Sequence, residues 1–327
     1  MSSLRELGEL KIIRILEQKL GTSLRTVVGF GDDISAVKLP DGKVAVLKTD
    51  MLVGSTDVPP GMTMRQAAHK AVVANVSDLA VKGVRPLAGV VALGLPAHLT
   101  KRDVKEIAAG LRIGTKEYGF PLVGGDTNES EDLTISIALF AVSDRRRLVL
   151  RSGARVGDTV AVTGEFGATS AGLKALLEKK RRPNQLAKPL YNAVYDPHTE
   201  LELGLRLAAS GALTASIDSS DGLAWSLHEL SEASGVGMRI DIVPISEAAD
   251  GFAKTYGYDV NDLAFYGGEE YHFVVTVKRD KFETARRLSR GALKAIGTVT
   301  VQHAGVRFRS AGRDLKIARK GWEHFKR

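Results

Sequence analysis

Val44–Asp50 reads VAVLKTD, an apolar run rich in valine that closes on a lysine, a threonine and an aspartate. A run this short and this β-branched suits a strand, and it delivers Asp50 at the strand's C-terminal end, where ligands gather in α/β sheets. Leu122–Asp126 (LVGGD) and Ala215–Asp218 (ASID) repeat the design. Working outward, Val84–Leu95, Leu133–Val142, Val160–Gly164, Arg239–Val243 and His272–Val277 are further strand candidates. Met64–Lys82, Thr100–Tyr118, Thr169–Lys180, Pro197–Ala209, Leu223–Ser234 and Lys281–Arg290 carry helical composition and spacing. The pattern predicts a mixed α/β fold throughout.

A chain of 327 residues favours two cores over one. The charged segment Ser143–Asp158 (SDRRRLVLRSGARVGD) interrupts the periodic pattern near the middle, so we expect lobes at 1–147 and 148–327. Leu148, Val149 and Leu150, and the lack of a Gly/Ser or Pro run, point to a packed joint with a cleft beside it rather than a flexible linker. With 44% hydrophobic and 26% charged residues the composition is that of an ordinary globular protein.

Residues 1–20 intersperse Arg5, Glu6, Glu9, Lys11, Arg14 and Glu17 among Leu7, Leu10, Ile13 and Leu16. That is an amphipathic helix, neither a signal peptide nor a membrane span, and a cytoplasmic location is expected. The absence of cysteine excludes disulfides, thiolate metal sites and cysteine nucleophiles. A net charge of +8 suits nucleic acid, a membrane surface or phosphorylated metabolites alike. Its densest basic stretches, Lys179–Arg182 and the tail Arg307–Arg327, lack regular aromatic interleaving and read as solvated helix ends or surface. Nucleic acid is therefore not the expected partner.

The chemistry rests on aspartates in turn-like contexts: Asp32 and Asp33 in GDD, Asp50 in KTD, Asp78 in NVSD, Asp126 in GGDT, and Asp218 and Asp221 in DSSDGL. Any one of them is explained by a turn or a helix cap. If the set converges it needs a cation, because carboxylates about 4 Å apart repel by ~4 kcal/mol per pair at an effective dielectric near 20. Oxygen-only ligands favour Mg²⁺ or Mn²⁺ over zinc, with substrate phosphates completing the shell. No G-x-x-x-x-G-K-[ST] loop occurs, and Gly164–Gly172 reads as a tight strand-to-helix turn. His69, His98, His198, His228, His272, His303 and His324 form no close ligand pair and read as surface or packing residues. Ser219 and Ser220 have no histidine–acid pair placed beside them.

Seven motifs stand in order: GFGDDISAV from Gly29, KTDMLV from Lys48, KAVVANVSDLAVKGVRP from Lys70, LVGGDT from Leu122, RSGARVGDTVAVTG from Arg151, IDSSDGL from Ile217 and GGEEYHFVVTV from Gly267. On these the chain resembles the thiamine-monophosphate kinase family, whose superfamily also holds aminoimidazole ribonucleotide synthetase, selenophosphate synthetase and a hydrogenase maturation protein. The last two depend on a cysteine or selenocysteine that this chain lacks. The resemblance implies a two-lobed synthetase-like architecture: an N-terminal lobe that builds a β-barrel-like core in a homodimer, and a C-terminal α/β lobe that completes the cleft. It implies ATP-dependent phosphorylation of thiamine monophosphate to thiamine diphosphate with several Mg²⁺ ions. The sister ribonucleotide synthetase is the alternative activity.

Carried over residue by residue, Asp33, Thr49, Asp50, Asp78, Asp126, Asp218 and Asp221 match the family's magnesium positions. No catalytic group is implied beyond the metal-holding Asp126, Asp218 and Asp221. Gly125, Asp126, Arg151 and Ser220 match nucleotide positions, and Glu269 and Trp322 match substrate positions. Trp322 offers an aromatic face to a cationic thiazolium ring. Asp57 stands where several family members carry a substrate histidine, and a carboxylate there also suits a cationic ring.

Overall fold

The computed structural model describes residues 3–21, 23–178, 184–310 and 312–325, so the basic stretch Lys179–Arg182 lies outside the described residues. VAVLKTD falls within the eleven-residue β3 (Lys43–Val53) of the first sheet. Its companions are β1 (Thr26–Val28), β2 (Ser35–Lys38), β4 (Ala88–Leu95), β5 (Leu122–Glu129) and β6 (Thr134–Asp144). They run in the order β1-β2-β3-β6-β4-β5, antiparallel except for the β4–β5 pair. Within one chain the sheet is open, and the barrel-like core expected from family resemblance is one that two copies would build together.

Period-2 alternation divides β3 between two environments. Val46, Lys48, Asp50 and Leu52 face the protein interior, whereas Leu47, Thr49 and Met51 face outward, Met51 at 61% exposure. The inner face is covered by the helix Met64–Val81, whose start is fixed by a reciprocal cap between Thr63 and Gln66. Fourteen of its residues are buried, from Ala67 through Val73 and Asn75 through Val81, so it is a central helix with no solvent face. The helix Lys101–Tyr118 approaches it closely because Gly110 has no Cβ; one there would lie 2.1 Å from the Arg65 carbonyl oxygen.

The second sheet holds β7 (Thr159–Val162), β8 (Leu213–Asp218), β9 (Gly237–Ile240), β10 (Phe273–Val277), β11 (Lys294–Thr300), β12 (Val306–Ser310) and β13 (Arg313–Lys316). Their order is β13-β12-β9-β11-β7-β10-β8, antiparallel except for β9–β12. β10 is buried along its whole length, as a strand covered on both faces must be. The central helix contacts both sheets. Leu201, Leu203 and Leu207 of the helix Leu201–Ala209, with Phe273, Val275 and Val277 of β10, join the core of the first sheet. Gly204 allows this contact, since a Cβ there would meet the Ala80 carbonyl oxygen at 2.0 Å. Val160, Ile217, Leu227, Met238, Ile240 and Val274 belong to a separate core on the opposite face.

The basic tail departs from the sequence expectation. Arg307–Lys316, read as surface or a helix end, is surface but forms the β12–β13 hairpin at a sheet edge, with Arg309 paired to Asp314 at 3.1 Å. In β12, Val306 and Phe308 pack on the second core while Arg307 and Arg309 alternate outward, and charged, short strands at a sheet edge discourage edge-to-edge pairing. No helix among the described residues is long and apolar enough to cross a membrane.

Candidate functional site

Three elements bring buried carboxylates together: Asp33 from the turn before β2, Asp78 from the last turn of the central helix, and Asp218 from the end of β8. One ligand atom of each lies within 4.8 Å of the others. Asp50 joins them through Lys48, whose Nζ stands 2.6 Å from Asp78 and 3.0 Å from Asp50. The Asp50 N–H donates to Asn75 Oδ1 of the central helix at 2.9 Å.

Two further cations enter. Lys82, fully buried, places Nζ 2.7 Å from Asp33 and 2.9 Å from Asp32 and donates to the Ser216 carbonyl at 2.6 Å. Arg151 donates from Nε to Asp33 at 2.8 Å and from its other arm to Glu229 at 2.9 Å.

The electrostatics are unevenly balanced. Burial pushes the Asp33 carboxyl up, but Arg151 and Lys82 overcome it and hold it below the usual range. Burial pushes Asp78 well above that range, and Asp218, Asp50 and Asp33 add to the push while Lys48 opposes it. Asp218 is raised to about 6 by burial and Asp33, although the Ser77 hydroxyl donates to it at 2.6 Å. Lys48 shows the other side of the same contact: burial would lower it, but Asp78 and Asp50 raise it. Negative charge is in excess, and an all-oxygen, buried donor set fits a hard divalent cation.

The DSSDGL loop after β8 is clamped from two sides. Ser219 N–H donates to the His272 carbonyl at 2.8 Å, Tyr271 N–H to the Ser219 carbonyl at 3.0 Å, and Glu269 N–H to the Ser220 carbonyl at 2.6 Å. From the C-terminal segment, Trp322 N–H donates to the Asp221 carbonyl at 3.1 Å. Glu269 (φ 63°) and Tyr271 (φ 53°) are left-handed, a strained backbone that the flanking contacts hold in place. A Cβ on Gly268 would meet the Ser220 carbonyl oxygen at 2.5 Å, so the two loops can touch only with glycine there. Burial, then Glu9 and Asp218, raise Asp221 to about 7 against the pull of Arg151.

Two of the sequence-derived substrate residues, Asp57 and Glu269, converge on a lysine the sequence reading passed over, while Trp322 meets the DSSDGL loop. The buried Lys70 ammonium pairs with Glu269 and donates to the Asp57 carbonyl oxygen at 2.8 Å. The Asp57 carboxylate itself accepts from the Val53 N–H at 2.7 Å. Lys48, Lys70 and Lys82 all stand inside the motifs quoted above. Their signal was a lysine set among valines and alanines, in segments too apolar for a solvated cation.

Thr49, Gly125 and Asp126 are not brought to the cluster within one chain. Strand register aligns Asp126 with Ala92, Ser136 and Met51, and Thr49 with Ala138 and Val90, on the outward face. A Cβ on Gly125 would lie 1.8 Å from the Val91 carbonyl oxygen, so strand packing alone demands that glycine.

Beneath the loop, Glu270 is buried and accepts from the N–H groups of Gly167 (2.8 Å) and Thr169 (3.3 Å) and from the Thr169 hydroxyl (3.2 Å). Burial outweighs these donors and raises it to about 7, against 4.5 for an unshifted glutamate. A raised carboxyl stabilises the fold below the unfolded value, and that contribution is lost as pH climbs to the folded value. Glu270→Gln should therefore flatten the stability loss between about pH 4.5 and 7, by up to ~3 kcal/mol. Urea titrations of both proteins across that range check it.

Comparison with known proteins agrees with this architecture. The AIR synthase related protein N-terminal domain matches residues 31–143, and the corresponding C-terminal domain matches residues 155–309. The thiamine-monophosphate kinase of Nitrosopumilus maritimus is 35% identical over 98% of this chain and 99% of its own. That of Pyrococcus abyssi is 34% identical over 90% of each. Among solved structures, AaThiL complexed with AMPPCP and TMP superposes with a TM-score of 0.87 at 28% identity, covering 99% of both chains. Thiamine monophosphate kinase from Aquifex aeolicus gives 0.80 at 26%, covering 93% of this chain and 97% of that one. With full-length likeness in sequence and in fold, and Asp33, Asp78 and Asp218 of the motifs gathered where the two sheets meet, the chain belongs to the thiamine-monophosphate kinase family.

Proposed function

We propose that this chain transfers the γ-phosphoryl group of ATP to the phosphate of thiamine monophosphate, giving thiamine diphosphate and ADP. The observation that carries the reading is that one buried helix supplies both halves of the site: Asp78 to the carboxylate cluster and Lys70 to Glu269 and Asp57. Eight residues of helix separate them by roughly 12 Å, a span suited to an extended substrate with a cationic ring at one end and a phosphate at the other.

The attacking phosphate oxygen is already anionic, so no strong general base is needed. The work is to bring two polyanions together in line and to stabilise charge on the transferred group. Mg²⁺ ions held by Asp33, Asp50, Asp78, Asp218 and Asp221 supply that neutralisation when bound. Arg151, anchored by Asp33 and Glu229, presents a fixed cation beside them for the nucleotide phosphates. Glu269 and Trp322, pinned to Ser220 and Asp221 by backbone hydrogen bonds, receive the thiazolium end, with Ser220 on the nucleotide side. In this reading residues 1–147 supply Asp33, Asp50 and Asp78 to the metals and make the dimer contact, and residues 148–327 add Asp218 and Asp221 and complete the cleft, in a cytoplasmic enzyme.

The active species is a homodimer formed through the outward face of the first sheet. Leu47, Met51, Val90, Phe140 and Val142 form an exposed apolar face there, and β5 is an open edge with Val123 67% exposed. Thr49, Gly125 and Asp126 lie on the same strands, so a second copy is what gives them a ligand to meet. Sedimentation should show a species of twice 35.1 kDa; a stable monomer at micromolar concentration would remove this assignment. For the reaction, phosphorus NMR should show thiamine diphosphate only when ATP, Mg²⁺ and thiamine monophosphate are all present. ATP binding without that product would direct the search to the sister synthetase substrates.

A further inference from the structure

Away from the aspartates, a second set of side chains meets where the helices Met64–Val81 and Lys101–Tyr118 adjoin the segment 196–200. His69 is only 4% exposed, and its Nε2 stands 2.9 Å from Glu117 Oε2. His198 Nδ1 stands 3.2 Å from Glu117 Oε1. A ligand atom of each of the three residues lies within 4.8 Å of the others. Asp196 closes the ring from the far side, with Oδ1 3.7 Å from His69 Nδ1 and Oδ2 3.6 Å from His198 Nε2.

A neutral imidazole cannot satisfy this arrangement. If His69 donates Nε2–H to Glu117, its Nδ1 lone pair faces the Asp196 carboxylate; if the proton sits on Nδ1, the Nε2 lone pair faces Glu117. His69 Nδ1 is buried and, 3.7 Å from Asp196, has no hydrogen-bond partner among the described residues. A cation on the Glu117 side removes the conflict. The Nε2 lone pair then has an acceptor, and Nδ1–H points at Asp196, the carboxylate–histidine relay that orients metal-bound imidazoles.

We propose that His69 Nε2, His198 Nδ1 and Glu117 form a binding site for a zinc-class divalent metal ion, with Asp196 orienting both imidazoles. Two nitrogens and a carboxylate select a borderline transition metal, unlike the oxygen-only aspartate cluster. Tetrahedral ligation at about 2.0–2.1 Å sets ligand atoms roughly 3.3 Å apart, and the two oxygens of Glu117 already stand 2.9 Å from His69 Nε2 and 3.2 Å from His198 Nδ1. The side chain of His198 is 59% exposed, which leaves an entry path and an open fourth position for water.

The ligands come from both sides of the molecule. His69 and Glu117 lie on helices covering the first sheet, and His198 precedes the helix Leu201–Ala209 that leads into β8. Thr199 N–H already donates to the Tyr118 hydroxyl across this junction at 3.3 Å. An ion here would cross-link the two halves next to Lys70, the residue that holds Glu269 and Asp57. The assignment stands on these residues and does not rest on the kinase reading. Separations of 48 and 81 residues between the ligands left no spacing signal, which is why the histidines read as unrelated from sequence.

The test is Co²⁺ titration of chelator-stripped protein in excess Mg²⁺, which occupies oxygen-only sites. One equivalent should bind with the intense visible absorption of nitrogen-ligated, low-coordinate Co²⁺, and Zn²⁺ should displace it and raise the melting temperature. Glu117→Gln and His198→Ala should each weaken binding at least ~100-fold, and Asp196→Asn by about 10- to 100-fold. His198 is exposed, so its alanine variant keeps the fold and makes a loss of binding interpretable. No stoichiometric uptake by the wild-type protein, or unchanged affinity in Glu117→Gln or His198→Ala, overturns the proposal.

Discussion

Lys82→Met is expected to destabilise the metal-free protein by about 3–5 kcal/mol, among the largest losses a single substitution can produce here. The ammonium is fully buried and is held by Asp32, Asp33 and the Ser216 carbonyl. Methionine fills the same volume but leaves Asp33 and Asp32 with Arg151 as their remaining close cation, and leaves the Ser216 carbonyl without its lysine donor. Breaking one side of a buried charge network exposes the full desolvation cost of the other side. Urea denaturation of the metal-free protein measures the loss, with the exposed Lys101→Met as a control expected to stay within about 0.5 kcal/mol. A loss for Lys82→Met no larger than the control's would mean that Lys82 does not compensate Asp33.

Asp78→Asn should behave in the opposite way, losing function while keeping or gaining stability. Burial and three neighbouring carboxylates push the Asp78 carboxyl well above its ordinary range, so its charged form strains the unliganded fold at neutral pH. A neutral amide of nearly the same shape relieves that strain, and Lys48 keeps Asp50 at 3.0 Å. Removal of a carboxylate from the cation-binding cluster should lower kcat about 100- to 1000-fold, the scale of losing one preorganised electrostatic contact. Steady-state assays with ATP and thiamine monophosphate, paired with thermal melts, check both halves. A fall in melting temperature alongside the lost activity would show that Asp78 is a structural residue. The expected split is the usual cost of a site in which charges are held together for a ligand rather than for the fold.

The sequence by itself determined a good deal. Runs such as VAVLKTD and LTISIALFAV end or continue in strands close to where periodicity put them, because a strand's two-residue alternation is a local property. Helical composition and spacing placed the starts of Met64–Val81 and Lys101–Tyr118 within a residue. Asp33, Asp78 and Asp218 were legible as one group because each sits in a short polar motif at the end of an apolar segment, although Asp78 proves to lie within the last turn of a helix.

Tertiary structure decided what those carboxylates face. Lys48 and Lys82 became partners of Asp78 and Asp33, and Lys70 became the partner of Glu269 across 199 residues of chain. The short strands at the second sheet's edge and the helices Asn184–Tyr195, Glu247–Tyr256 and Val260–Tyr266 went unread, since each is short, one carries Pro189 inside it, and elements of this length are stable only when packed on neighbours. Register placed Thr49 and Asp126 on the opposite face from Asp50, a distinction that a one-residue step in a strand makes and that no count of aspartates contains. Local periodicity is written in adjacent residues, whereas charge pairing and sheet faces arise only when distant segments exclude water together.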